Sequence, residues 1–188
     1  MIKELIKSNR SYRRFDESNK ISNEDLAELV DLARLSPSAA NKQPLKYFLS
    51  YDKSINEKVF PTLGWAGYLH DWQGPVAGER PSAYILILGD TTISTKIDCD
   101  HGIAAQSILL GAREKGLGGC IFASINKKEL QTVLNLKAHL EILLVIALGR
   151  PIEQVVLEDL PESGSIKYYR DENQVHHVPK RSLSDIII

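Results

Sequence analysis

Two groups of cationic side chains stand far apart in the sequence, Arg10, Arg13 and Arg14 in one and Lys180 and Arg181 in the other, and between them lies a polar loop, Ser38-Ala39-Ala40-Asn41-Lys42-Gln43. Each alone reads as readily as solvated surface. Taken together they carry one chemistry. A dianionic phosphate is held best by two or more cationic forks, and the edge of a planar heterocycle by amide donors and acceptors. Unit charges ~4 Å apart gain about 4 kcal/mol at a partly buried effective dielectric, so two or three such contacts hold a phosphate without a glycine loop at a helix start. These are the parts of a flavin mononucleotide (FMN) site.

Other chemistries are set aside by absence. The sequence has no G-x-x-x-x-G-K-[ST] and no G-x-G-x-x-G, and Gly116-Leu117-Gly118-Gly119 is no substitute. It has no G-x-S-x-G elbow, and the histidines at 70, 101, 139, 176 and 177 form no H-E-x-x-H pair. Cys99 and Cys120 have neither the spacing nor the companion histidines of a zinc site, so reduced thiols are expected. Asp98-Cys99-Asp100-His101 reads as a helix start whose carboxylates complement the macrodipole, and no metal is expected.

Composition sets the frame for those residues. The chain has 188 residues, 43% of them hydrophobic, with 23 basic and 24 acidic side chains and a net charge of -1. That length and balance predict one ordinary globular domain, spanning 1–188, and no field for a nucleic-acid backbone. Yet residues 1–20 hold six basic against three acidic side chains, so positive charge is positioned locally. The longest apolar run, 142–148, is far short of the ~20 residues that span a bilayer. The first residues mix charge into every turn, unlike a signal peptide. No membrane contact and a cytoplasmic location are expected.

The elements that must position the cations follow from periodicity. Ile2, Leu5 and Ile6 predict a short helix leading into Arg10. Ser22 and Asp25 resemble a capping box before Leu26, Leu29, Val30 and Ala33, a helix ended by Ser36-Pro37. Strands are expected over 47–51, 83–88, 118–123 and 141–148, with short helices over 55–60 and, capped by Asn126 and Glu129, up to Leu134. Residues 98–115 read as a helix apolar almost all round, hence buried, and its small residues Gly102, Ala105 and Gly111 let another backbone approach. Residues 64–80 read as an aperiodic connection. After Gly149-Arg150-Pro151 the sequence turns polar and reads as a tail, 165–188 being its end. Its Ile186-Ile187-Ile188 should dock on its own domain or on a second subunit, since exposure forfeits roughly 1.5 to 3 kcal/mol each. The mixture without strict βα alternation favours an α+β fold.

R-S-x-R-x-F at Arg10, Ser11, Arg13 and Phe15, followed by A-R-x-x-P-S-x-x-N-x-Q-P at Ala33, Arg34, Pro37, Ser38, Asn41, Gln43 and Pro44, resembles the FMN-dependent nitroreductase family. The resemblance continues through 100–106, the Gly116–Cys120 turn, Ala147-Leu148-Gly149 and Pro179-Lys180-Arg181. It departs at Asn9, where many relatives carry a basic residue, and at Leu45, where an aromatic is usual.

The resemblance implies a central, mostly antiparallel sheet flanked by helices, in an intertwined homodimer whose termini wrap onto the neighbour and whose interface holds FMN. By matching position, Arg10 and Ser11 would meet the phosphate or ribityl end, Lys180 and Arg181 would complete the phosphate cage, and Arg13 would lie near the flavin pyrimidine and tune its potential. Pro37, Ser38, Ala39 and Asn41 would arrive from the second subunit with Gln43 supporting their loop, and the backbone at Gly119 and Cys120 would approach N5. No side chain need act as acid or base, because the cofactor carries the electrons. The implied activity is hydride transfer from NAD(P)H to a nitroaromatic, quinone or similar electrophile in two steps. The alternatives are dehalogenation, flavin degradation or dehydrogenation on the same scaffold, or FMN binding without turnover. Tyr68 or Trp72 is expected to line the substrate side.

Overall fold

The computed structural model describes residues 2–188. Its centre is β3 (Ala83–Asp90), with every residue buried, paired antiparallel with β2 (Leu45–Ser50) on one side and β5 (Leu140–Pro151) on the other. β5 also takes β4 (Gly118–Phe122) and, at its far end, β1 (Phe15–Asp16), both antiparallel. The near-continuous apolar runs of β3 and β5 are explained by two cores, because alternate side chains of a strand leave opposite faces. Ile85, Ile87 and Ile146 enter one, while Tyr84, Leu86 and Val145 enter the other.

The first core lies under α2 (Asn23–Arg34) and α4 (Asp100–Glu114). Ser22 starts α2 by accepting the Asp25 N–H at 3.0 Å, and Leu26, Leu29 and Ala33 are its buried stripe. A Cβ at Gly111 would sit 2.2 Å from Leu32 Cδ1, so the two helices close to their observed spacing because that position is glycine. The second core lies under α3 (Lys53–Val59) and α5 (Lys127–Val133), the latter capped by the Asn126 side chain accepting from Glu129 N–H. Helix α1 (Ile2–Ser8) reaches α4 but buries none of its residues. The fold is α+β, as expected.

One expectation needs correction. Helix α4 is not buried all round: Gly102, Ile103 and Gln106 are exposed, because α2 and the sheet cover one side only. The polar region after Pro151 contains a second sheet that the sequence reading did not anticipate, with β6 (Val155–Asp159) parallel to β8 (His176–Lys180) and β7 (Tyr169–Arg170) antiparallel to it. Such short, half-exposed strands carry too little alternation to be read from sequence. Ile186, Ile187 and Ile188 are exposed and do not dock on their own domain, which leaves the other expected destination, a second subunit.

Candidate functional site

The loop after α1 is fixed to the edge of β4. Tyr12 N–H donates to Gly119 O at 3.0 Å, Ser11 bridges Gly119 in parallel, and the Tyr12 hydroxyl donates back to Ser8 O at 3.0 Å. A Cβ at Gly119 would lie 2.5 Å from Ala147 O and 2.7 Å from Leu109 Cδ2, so only glycine permits this strand edge. Buried Tyr12 thereby sets Arg10, Ser11 and Arg13 in place. Strand β8 faces them: His176, Val178 and Lys180, two residues apart, share one side of the strand. Between the two segments lies a cavity of 320 Å³, closed by Gln106 and Leu109 of α4, Ile121 of β4, Asn9 and Tyr168. Arg10, Arg13 and Lys180 line it and no carboxylate does.

Each cation is held differently. Arg10 donates from Nη2 to Ile6 O at 2.8 Å, its buried Nε finds no partner, and burial lowers its pKa. Arg13 lies with its guanidinium 4.8 Å from the Tyr168 ring centre and its Nη1 3.2 Å from Ser11 O and 3.4 Å from His176 Nε2. Arg14, expected to join the cluster, is instead committed to Glu79 through Nε at 2.7 Å and Nη2, a fork that raises the guanidinium and lowers the carboxyl. Lys180 reaches the cavity from an exposed position, whereas Arg181, equally exposed, does not line it.

Sequence reasoning missed the residues that tie these segments together. The Glu153 side chain, 1% exposed, accepts the backbone N–H groups of Arg13 and Arg14 and pairs with Arg170 Nη2 at 3.0 Å. Arg170 in turn lies 4.3 Å from the Trp72 ring centre. His176 is buried, and that burial, followed by the charges of Arg13 and Arg170, lowers its pKa to about 4. His176, Tyr168 and Glu153 left no local sign in the sequence. Tyr68 packs 5.0 Å from Tyr168 and Trp72 against Trp65, so both stand behind the cavity rather than in its lining.

The amide-rich loop sits elsewhere in this chain. Pro37, Ser38 and Gln43 line a separate cavity of 160 Å³ with Asp100, while Ala39 and Asn41 are exposed outside it. Ser38 Oγ donates to Asp100 Oδ2 at 2.6 Å, Ala39 N–H to Asp100 Oδ1 at 3.0 Å, and Gln43 N–H to Ser38 Oγ at 2.9 Å. Asp100 thus anchors a loop instead of serving only its helix start. Ala40, Asn41 and Gln43 are held at φ of 51°, 54° and 50°, a left-handed region that non-glycine residues seldom occupy. Cys120 is buried beside Ala147, and burial raises its thiol pKa, which disfavours the thiolate.

Another cavity, of 910 Å³, has a lining of mixed charge. Lys20, Lys53 and Arg80 are balanced there by Glu17, Asp52 and Glu57. Among the described residues no group of three or more His, Cys, Asp or Glu is placed to hold a metal. No helix among them is long and apolar enough to cross a membrane.

The family model described as the nitroreductase family matches residues 6–150. The Bacillus subtilis (strain 168) protein named "Putative NAD(P)H nitroreductase MhqN" is 24% identical over 187 residues, covering 78% of this chain and 86% of its own. A crystal structure from Staphylococcus epidermidis, of a "putative NAD(P)H:FMN oxidoreductase", superimposes with a TM-score of 0.72 at 17% identity, covering all of this chain and 95% of the other. Another, from Exiguobacterium sibiricum, of a "putative nitroreductase in complex with FMN", gives 0.67 at 17% identity and covers 81% and 89%.

Proposed function

The chain belongs to the nitroreductase family, and from that premise we propose that it binds FMN in the acid-free cavity between residues 9–13 and 176–180 and works as an NAD(P)H-dependent flavin oxidoreductase. Its acceptor is a nitroaromatic, quinone or similar small electrophile. The observation that carries the reading is the meeting of Arg10, Arg13 and Lys180 around 320 Å³ with no carboxylate. The orphaned Arg10 Nε and His176 Nδ1 add buried polar atoms that the protein itself leaves without partners. This donor-rich set fits a phosphate joined to a planar ring.

Bound there, FMN would supply the hydride-transfer chemistry between NAD(P)H and the electrophile. The chain supplies binding and electrostatics. Lys180, Arg10 and the Ser11 hydroxyl take the phosphate end. Arg13 places a fixed cation where negative charge gathers on the ring, and one such preorganised donor is typically worth ~3 to 4 kcal/mol. The backbone of Gly119 and Cys120 would approach the ring edge from β4, a strand edge that keeps its place because a side chain at 119 would strike Ala147 O and Leu109.

A second copy of the chain completes the site in this reading. The 37–43 loop lines its own cavity away from the cations, so the Ser38, Ala39 and Asn41 contacts come from the same loop of a partner subunit. Support comes from exposed Ile103 of α4 and the exposed Ile186–Ile188 segment, apolar surface left without cover in one chain.

The absorbance spectrum of purified protein, followed by anaerobic NADH or NADPH, tests this directly. We expect a yellow protein that bleaches and regains colour when a nitroaromatic or quinone is added. Colourless protein that does not quench added FMN would overturn the binding site. A yellow protein that neither nucleotide bleaches would overturn the enzyme.

A further inference from the structure

Arg13 is held from outside its own loop, and this inference rests on the flavoprotein reading above. Within the loop its guanidinium makes one contact, to Ser11 O. The rest comes from the second sheet and the segment before it: the Tyr168 ring at 4.8 Å and His176 Nε2 at 3.4 Å from Nη1. A guanidinium has donors only, so a hydrogen bond across this contact requires Nε2 to carry the lone pair and Nδ1 the proton. Nδ1 is buried and without a partner among the described residues, in a ring that lines the cavity. The Tyr168 ring packs 5.2 Å from the imidazole and so spans both partners.

A charged imidazole has no support here. Arg13 faces it from the first loop and Arg170 from β7, while His177 adjoins it on β8 and Lys180 and Arg10 line the same cavity. The carboxylate in this neighbourhood, Glu153, is taken by Arg170 and two backbone N–H groups. We propose that His176 is a positioning residue for Arg13: a neutral imidazole that accepts from the guanidinium through Nε2, braced by Tyr168, and thereby governs how firmly the cavity holds FMN and at what potential the bound flavin is reduced.

Imidazole ¹⁵N spectra of the wild-type FMN-loaded protein at neutral pH test the geometry without any variant. The Nδ1–H neutral tautomer is expected for His176; an Nε2–H tautomer or a cationic ring overturns the proposal. His176→Phe keeps a ring and removes the acceptor, and should weaken FMN binding on the order of tenfold, the loss of one hydrogen bond to a charged group, and lower the midpoint potential. His176→Gln, which retains an acceptor, should stay within about threefold of wild type on the same scale. In an Arg13→Ala background, His176→Phe should change neither quantity further. A His176→Phe protein equal to wild type in affinity and potential, or one with the same effect after Arg13 is removed, overturns the positioning role alone. Wild-type protein that does not bind FMN overturns the flavoprotein reading, and this inference with it.

Discussion

Lys180 and Arg181 are neighbours in sequence and unequal in space. The alternation of β8 turns Lys180 with His176 and Val178 toward the cavity and sends Arg181 past its lining. Lys180→Ala should therefore raise the FMN dissociation constant by roughly tenfold or more, as expected for one charge-assisted contact. Arg181→Ala should change it less than about threefold. Fluorescence titration with FMN decides, and equal losses would mean that Arg181 also reaches the phosphate. Arg14 makes the same point from the other side. Its charge was legible, but its engagement was not, because Glu79 lies 65 residues away in the sequence and the fork forms only after folding. Residue type gives capacity, and folded neighbours decide whether that capacity is free.

At the scale of elements, local patterns were most reliable where a cap and an apolar period agreed. α2 with Ser22 and α5 with Asn126 begin where their side chains can satisfy the first free N–H groups. The 38–43 loop shows what such patterns leave out. Its three left-handed residues, Ala40, Asn41 and Gln43, follow Ser38 and Ala39, which donate two hydrogen bonds to the Asp100 carboxylate across 62 and 61 positions of sequence. Asp100→Ala should cost about 1 to 3 kcal/mol of unfolding free energy in urea, because a charged acceptor is lost and two donors are released. Amide exchange at Ala39 should speed up more than at β3 residues. Unchanged exchange at Ala39 would show that the loop is held by other contacts. The second sheet was invisible for a related reason: strands of two to five residues stabilised by pairing to one another have no period long enough to announce them.

For the whole molecule, the unresolved question in one chain is apolar surface. Ile103, Leu183, Ile186, Ile187 and Ile188 are exposed, and a lone subunit would leave them in water. In the proposed dimer they are interface. Truncation after Ser182 should shift sedimentation from dimer toward monomer at micromolar concentration and weaken FMN retention in step. A truncated protein that remains fully dimeric with unchanged FMN affinity would remove the tail from the interface.

The sequence by itself determined the α+β class, the helices with caps, the buried central strands and the list of cations able to hold a phosphate, because these depend on residue type and short-range period. Only the tertiary structure decided which cations remain free, that His176, Tyr168 and Glu153 join them, and that the amide loop sits apart from the cavity in its own chain. Those outcomes depend on contacts between positions 62 to 163 residues apart, and such contacts exist only once the chain has closed its sheets.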